Sequence, residues 1–315
     1  MCASKNILAE GTGDGENDAP IPNSNVSIMP DPADHAFLLF VPADRPERFV
    51  KAANAGADAI ILDLEDAVAP SAKDYARATL VAALSSSRPA SPTYIRINGV
   101  GTAWHADDVA VAAMLGVDGV LLPKSESLSD VVSVRTKLAA GMYVNAIIET
   151  VRGLAIADEI AAAADRLVFG SLDFATDLGC AHRREPLAMA RSRIVLAARL
   201  VGKPAPIDGV TLSIRDDAVI EDDARYGALF SFGGKLLIHP AQVMSARHGA
   251  LGDSLDFDDA HADSLLHPSA PMAPATRRCT SWARDSATVA MRKSAGICRK
   301  SRAAGCRLPQ AGHNR

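Results

Sequence analysis

Aromatic residues are scarce in this 315-residue chain, only 4% of it. A core so short of rings must be filled by Ala, Val, Leu and Ile, and 48% of the residues are apolar, the composition that stacked β/α units require. Long apolar runs are also missing. None approaches the roughly 20 residues of a membrane span, and Met1-Cys2-Ala3-Ser4-Lys5 opens without the apolar stretch of a secretory signal. A cytoplasmic protein without a membrane partner is expected. The five cysteines, Cys2, Cys180, Cys279, Cys298 and Cys306, show no CxxC pairing, so reduced thiols are expected rather than a zinc or redox centre. Positive charge is not in excess. The net charge is -4, which removes any whole-chain reason to expect nucleic acid. Neither a GxGxxG after an apolar run nor a Walker loop occurs, which excludes the usual dinucleotide and nucleotide cradles.

What is present is a repeating pattern. Residues 1–35 are rich in Gly, Asn, Asp, Pro and Ser and read as a flexible leader. From Phe37 a short apolar run, a polar turn and an Ala-rich stretch with helical spacing recur about every 25–35 residues, in the manner of βα units. Strands are expected at Phe37 to Val41, Ala59 to Leu62, Thr93 to Ile97, Gly119 to Leu122, Tyr143 to Ile148, Arg166 to Phe169, Ile207 to Val210 and Lys235 to Ile238. Helices are expected at Arg45 to Ala55, Lys73 to Ser85, Trp104 to Leu115, Leu128 to Ala139, Gly153 to Ala164 and Leu187 to Val201. Such crossovers are long enough to make neighbouring strands parallel. Eight strands are the number that closes an α/β fold of the (β/α)8 TIM-barrel type, and one large domain over residues 36–250 is consistent with the chain length.

Polar groups follow the strands in a pattern. After the second comes Asp63-Leu64-Glu65-Asp66, on the third sits Arg96 with Asn98 beyond it, after the fourth Pro123-Lys124, after the fifth Glu149, after the sixth Asp173, and after the eighth His239-Pro240. In a parallel barrel all of these lie at the C-terminal rim, where active sites are built.

Each position carries two readings. Glu149 and Asp173 come from successive strands and could share one hard cation such as Mg²⁺, which takes oxygen ligands and keeps most of its sphere for water or substrate; alternatively each caps the following helix. Arg96 interrupts an apolar alternation and needs an anionic partner. That partner is either a substrate carboxylate held bidentately or an internal acid, Glu65 or Asp66. Those two acids would hold metal-bound waters or orient Arg96, unless one only caps the turn before the Lys73 helix. Lys124, with no visible means of lowering its pKa, reads as an ion-pair partner to these acids. Arg45 and Lys51 lie near a helix start with Pro46 in its first turn, where they could meet phosphates or form a solvated basic face. Cys180 reads as a small buried thiol.

Phe40-Val41-Pro42-Ala43-Asp44-Arg45-Pro46, Gly56-Ala57-Asp58 through Leu62-Asp63-Leu64-Glu65-Asp66-Ala67-Val68, Arg96-Ile97-Asn98 and Leu122-Pro123-Lys124 occur in order. They are followed by Ile148-Glu149-Thr150-Val151-Arg152-Gly153, Phe169-Gly170-Ser171-Leu172-Asp173-Phe174, Pro206-Ile207-Asp208-Gly209-Val210, and Gly233-Gly234-Lys235 to Ile238-His239-Pro240-Ala241-Gln242. In this order they closely resemble the citrate lyase beta-subunit-like CoA-ester lyases of the HpcH/HpaI aldolase superfamily. The resemblance implies a barrel in which Glu149 and Asp173 ligate Mg²⁺ and Arg96 holds the substrate's carboxylate or carbonyl oxygen. It further implies that Glu65 and Asp66 support that site and that Arg45 and Lys51 contact CoA. The implied chemistry is making or breaking a carbon-carbon bond beside a thioester of citryl-CoA or malyl-CoA type through a metal-stabilised enolate, in a homotrimer or hexamer. A divalent-metal aldolase for free 2-oxo acids, and a lid-deficient protein that binds CoA esters without turnover, remain alternative readings.

Two departures stand out. Asp34-His35-Ala36-Phe37 stands where family members often carry Arg-Ser. Beyond Gln242 the family's small lid, ending in a Gly-Lys-Met-Val-Asp-like motif, has no counterpart. Residues 251–315 instead run from an acidic stretch, Asp253 to Asp263, into a basic one containing Arg277, Arg278, Arg292 and Lys293. This tail is expected to be disordered and out of frame with the ancestral gene, with a basic interaction arm as the alternative.

Overall fold

The computed structural model describes residues 35–251. The expected leader, apart from His35, and the expected basic tail, apart from Leu251, lie outside the described residues. Eight strands, β1 (Phe37–Pro42), β2 (Ala59–Asp63), β3 (Thr93–Arg96), β4 (Gly119–Leu122), β5 (Tyr143–Ile148), β6 (Arg166–Phe169), β7 (Ile207–Asp208) and β8 (Gly234–Leu237), pair in sequence order. All pairs are parallel and β8 returns to β1, which closes the barrel. All eight expected strands form. Only β7 is markedly shorter than expected, ending where Gly209 lies so close to Ser171 that an added Cβ would fall 2.2 Å from its Oγ.

Burial on both faces explains why the strands read as unbroken apolar runs. In β2, Ile60 and Leu62 pack outward against the helices, while Ala59 and Ile61 join Leu38, Tyr94, Leu121 and Ile147 inside the barrel. Each fully buried aliphatic side chain contributes about 1.5–3 kcal/mol relative to an exposed one. This period of two positions the chemistry. Continuing the inward parity one step past the inner cluster leads from Ile61 to Asp63, from Tyr94 to Arg96 and from Ile147 to Glu149, all at the C-terminal rim. The β2–β3 register sets Asp63 directly opposite Arg96.

Closure depends on a close approach at the other end. Lys235 N–H donates to Ala36 O at 2.8 Å, and a Cβ on Gly234 would come within 1.8 Å of that same carbonyl. Glycine is required there because backbone occupies the space of a side chain.

Ten helices surround the strands in the described residues: α1 (Phe49–Ala53), α2 (Lys73–Ser86), α3 (His105–Leu115), α4 (Leu128–Arg135), α5 (Val151–Ala155), α6 (Ala157–Ala163), α7 (Ser171–Leu178), α8 (Arg184–Leu200), α9 (Asp217–Leu229) and α10 (Gln242–Leu251). Four expected helices are revised, one of them, α8, in starting three residues before Leu187. The first begins as a single 3-10 turn at Pro46–Arg48 and continues as the short α1, stopping before Gly56 at φ +85°. The stretch from Gly153 to Ala164 starts two residues earlier and breaks into α5 and α6 at Ile156, whose φ of -117° and ψ of 27° are not helical. The helix from Leu128 ends at Arg135 instead of Ala139. Helices α7, α9 and α10 were not expected from apolar spacing. For α9 a signal existed in Asp216, whose side chain caps the helix by accepting from Val219 N at 3.2 Å.

Candidate active site

The site is assembled from four strand ends and one helix start. Arg96, at the end of β3, donates from Nε to Asp63 Oδ1 at 2.7 Å and from Nη2 to Asp63 Oδ2 at 2.6 Å. Its Nη1 lies 3.0 Å from Glu65 Oε2 and 3.3 Å from Asp66 Oδ2, and the Phe40 ring stacks on the guanidinium with 4.7 Å to its centroid. Burial works against the guanidinium's charge, but Asp63 and the neighbouring acids outweigh it and raise the Arg96 pKa further. Of the two readings of Arg96, the internal ion pair is therefore present. Its principal partner is Asp63, however, and Glu65 and Asp66 are secondary. Asp63, named above only as one of the rim residues, is put on the inward face by the strand's alternation and opposite Arg96 by the register.

The acidic loop after β2 is held rigidly. Asp63 accepts the backbone N–H of Glu65 at 2.9 Å and of Ala67 at 3.1 Å. Lys73, nearly fully buried, donates its ammonium to the carbonyls of Leu64 and Glu65, both at 2.7 Å. Asn98 Nδ2 reaches Leu64 O at 3.0 Å and the fully buried Asp108 at 2.6 Å, and Asp108 in turn takes Arg77 Nη1 at 2.9 Å. Neither the 3-10 turn at Pro70–Ala72 nor the helix at Lys73 that follows it has a side-chain cap, so neither Glu65 nor Asp66 serves as one.

Glu149 follows β5 directly and is 3% exposed. It caps nothing: Thr150 is the N-cap of α5, its hydroxyl accepting from Gly153 N at 3.0 Å. Its carboxylate accepts the backbone N–H of Lys124 at 2.7 Å. Burial, reinforced by the charge of Glu65, pushes the Glu149 pKa up to about 8. The carboxylate fits because residue 170 lacks a side chain; a Cβ on Gly170 would lie 2.4 Å from Glu149 Oε2. Asp173 occupies the first turn of α7, where the helix dipole favours its charge, and its side chain is half-exposed.

Lys124 stands among these acids as expected. Its Nζ lies 2.7 Å from Glu65 Oε1, 3.2 Å from Asp173 Oδ2 and 3.8 Å from Glu149 Oε1. Burial opposes the ammonium charge, but Glu149 and Glu65 raise its pKa above the ordinary lysine range. Its backbone is left-handed, with φ +48°, a conformation that costs a non-glycine residue roughly 1 kcal/mol.

A cavity of about 380 Å³ opens over this cluster, lined by Phe40, Asp63, Arg96, Glu149, Ser171 and Asp173 among others, a size suited to a small ligand. A second cavity of about 530 Å³ lies beside it between α8 and α9. Two of its arginines are already engaged, Arg184 by Asp222 and Arg191 by Asp208. The wall between the cavities holds a hydrogen bond of 3.0 Å linking Ser171 Oγ and His182 Nε2. Arg45 is exposed in the β1–α1 connection and Lys51 is exposed on α1; neither lines the smaller cavity, and Arg45 faces Asp44 at 3.7 Å. Cys180 is partly buried and not part of the cluster.

The donor set fits a hard divalent cation. Five carboxylates, Asp63, Glu65, Asp66, Glu149 and Asp173, are met by two cations, Arg96 and Lys124. Among the described residues no group of three or more His, Cys, Asp or Glu is placed to hold a metal ion; Mg²⁺ is typically held by one or two carboxylates with water and substrate completing its sphere.

The fold and site together are an eight-stranded parallel barrel with an acidic cluster around a largely enclosed arginine at its C-terminal rim. The chain belongs to the HpcH/HpaI aldolase/citrate lyase family, whose model matches residues 36–240. It is 40% identical over 220 residues to a citrate lyase subunit beta-like protein of Mycobacterium tuberculosis, covering 66% of this chain and 76% of that protein. It is 35% identical over 211 residues to a (3S)-malyl-CoA thioesterase of Cereibacter sphaeroides, covering 65% and 73%. Among solved structures, the CitE protein of Mycobacterium tuberculosis in complex with magnesium, acetoacetate and coenzyme A matches with a TM-score of 0.62 and 38% identity, over 70% of this chain and 82% of that one. No helix among the described residues is long and apolar enough to cross a membrane.

Proposed function

We propose that this chain is a Mg²⁺-dependent carbon-carbon lyase acting on a hydroxyacyl-CoA ester of citryl-CoA or malyl-CoA type. The observation that carries this reading is the position of Glu149 and Asp173 beside the Arg96 cluster in one cavity of about 380 Å³ at the barrel's C-terminal rim. Glu149 and Asp173 would hold the cation, which when bound would polarise the substrate hydroxyl or carbonyl oxygen on the carbon whose carbon-carbon bond is broken or made. Arg96, fixed by Asp63 through Nε and Nη2, by Glu65 and Asp66 at Nη1 and by Phe40 on one face, keeps the second N–H of Nη2 for a substrate oxygen. That N–H then donates to the oxygen of the enolate that conjugates the electron pair left on the carbon next to the thioester. Glu65 and Asp66 orient Arg96 and, through Glu65, Lys124. Arg45, in the connection after β1, and Lys51, on α1, meet the CoA phosphates.

The test is product analysis with a panel of hydroxyacyl-CoA esters. A lyase releases a shorter acyl-CoA and an oxo compound, and the reaction stops with EDTA or Glu149→Gln. Turnover of free 2-oxo acids without CoA would sink the CoA-ester assignment. The similarity to a malyl-CoA thioesterase favours one second reading, hydrolysis of the thioester in the same site, which would release free CoA and the intact hydroxy acid instead.

A further inference from the structure

Lys124 is tied to the acidic cluster by both its backbone and its side chain. Its N–H holds Glu149 Oε1 at 2.7 Å, and its left-handed backbone, φ +48°, turns the side chain back over the same group of acids. The ammonium then lies 3.2 Å from Asp173 and 3.8 Å from Glu149, the pair assigned to the divalent cation. Its nearest partner is a third acid, Glu65 Oε1, at 2.7 Å. An ammonium and a divalent ion cannot both sit between the same two carboxylates. Mg²⁺ approaches its oxygens to about 2.0–2.1 Å, which would leave two cations in near contact. Lysine is suited to give way, being a compact charge on a flexible four-carbon stem, and this side chain is 44% exposed. Glu65, outside the assigned ligand pair, offers the ammonium a pivot once it leaves Asp173 and Glu149.

We propose that Lys124 is a resident stand-in cation: it neutralises the Glu149–Asp173 pair in the metal-free protein and is displaced when the divalent ion seats, so that it sets the affinity of the site for metal. This rests on the metal reading of Glu149 and Asp173. The site is thereby folded and partly neutralised before metal arrives, and loading moves the ammonium off Asp173 and Glu149.

The test uses the full-length protein and Mn²⁺, which prefers oxygen ligands as Mg²⁺ does, with binding read from the electron paramagnetic resonance signal of the free ion. Lys124→Met, which offers no oxygen to the metal, should bind Mn²⁺ at least tenfold more tightly than the parent, whereas Lys124→Arg should not. Independently, in the unaltered protein, Mn²⁺ should raise the rate at which Lys124 is labelled by an amine-reactive ester, followed by mass spectrometry. That measurement does not depend on any variant folding. Tighter binding by Lys124→Met with labelling unchanged by Mn²⁺ would overturn displacement in favour of simple charge repulsion. Equal or weaker binding by Lys124→Met would overturn the inference outright, provided Glu149→Gln weakens Mn²⁺ binding. If Glu149→Gln leaves Mn²⁺ binding unchanged, the metal reading itself fails, and the inference with it.

Discussion

Asp63 and Arg96 face each other across the β2–β3 ladder and close a two-point ion pair, at 2.7 and 2.6 Å, in which the acid is almost wholly buried. The same carboxylate accepts the N–H groups of Glu65 and Ala67. One side chain therefore sets both the orientation of the arginine and the course of the acidic loop.

Asp63→Asn removes the charge while leaving the shape. Breaking one partner of a buried pair costs about 3 kcal/mol, which corresponds to about 6–12 °C in Tm for a domain of this size. Calorimetry should show this loss, and kcat/KM should fall about 100-fold as Arg96 loses its fixed edge.

Gly170→Ala probes the Glu149 cradle, since the new Cβ would meet Oε2 at 2.4 Å. The backbone at residue 170, φ -85° and ψ 68°, is an inverse γ-turn conformation open to alanine, so the damage should come from the contacts with Glu149 and Ile147. The expected outcome is near-native circular dichroism with metal affinity reduced at least tenfold; unchanged affinity would show that Glu149 is not a ligand.

The raised Glu149 pKa gives a signed pH dependence. With a folded value of about 8 against an ordinary 4.5, the folded state holds this proton more tightly than the unfolded state. Its contribution to stability is complete below pH 4.5 and is lost as pH rises towards and through 8. In EDTA, the parent protein should lose stability relative to Glu149→Gln across that window. Metal must replace the proton, so metal affinity should rise with pH up to about 8, and Glu149→Gln should flatten that dependence. Thermal melts and metal titrations at several pH values check both.

Arg45→Ala combined with Lys51→Ala should raise KM for a CoA ester about tenfold or more with little change in kcat. The loss should shrink as salt rises, because both side chains are exposed and their contribution is screened. A free 2-oxo acid, if turned over at all, should be indifferent to the double change.

The barrel was legible because each strand is a short apolar run followed by polar residues, and each run maps to one strand of the ladder. Arg96, Glu65, Asp66, Glu149 and Asp173 could be picked out by where those runs end. The dominant partner of Arg96 could not, because three acids within four positions look alike until the β2–β3 register pairs one of them with the arginine. Register depends on non-local contacts. The role of Lys73 was equally hidden: a lysine opening a helix normally points to solvent, whereas this one is buried against the carbonyls of Leu64 and Glu65. Helices α7 and α9 escaped notice because one is short and the other is rich in acids. Gln242, matched only as part of a motif, proves to be a clamp, accepting from Ile238 N at 2.8 Å and donating to the carbonyls of Thr211 and Ser213.

The contact of Gly234 with Ala36 has a consequence for how the protein is made. It joins the last strand to the first, about two hundred residues apart in the chain, so a ribosome must release nearly the entire barrel before its two edges can meet. Until then β1 presents an open parallel edge, the kind of surface that recruits other chains, and a long wait for distant contacts slows folding. Position 234 thus governs the hazard of synthesis as much as the finished structure: any side chain there would prolong the interval in which the edges stay open.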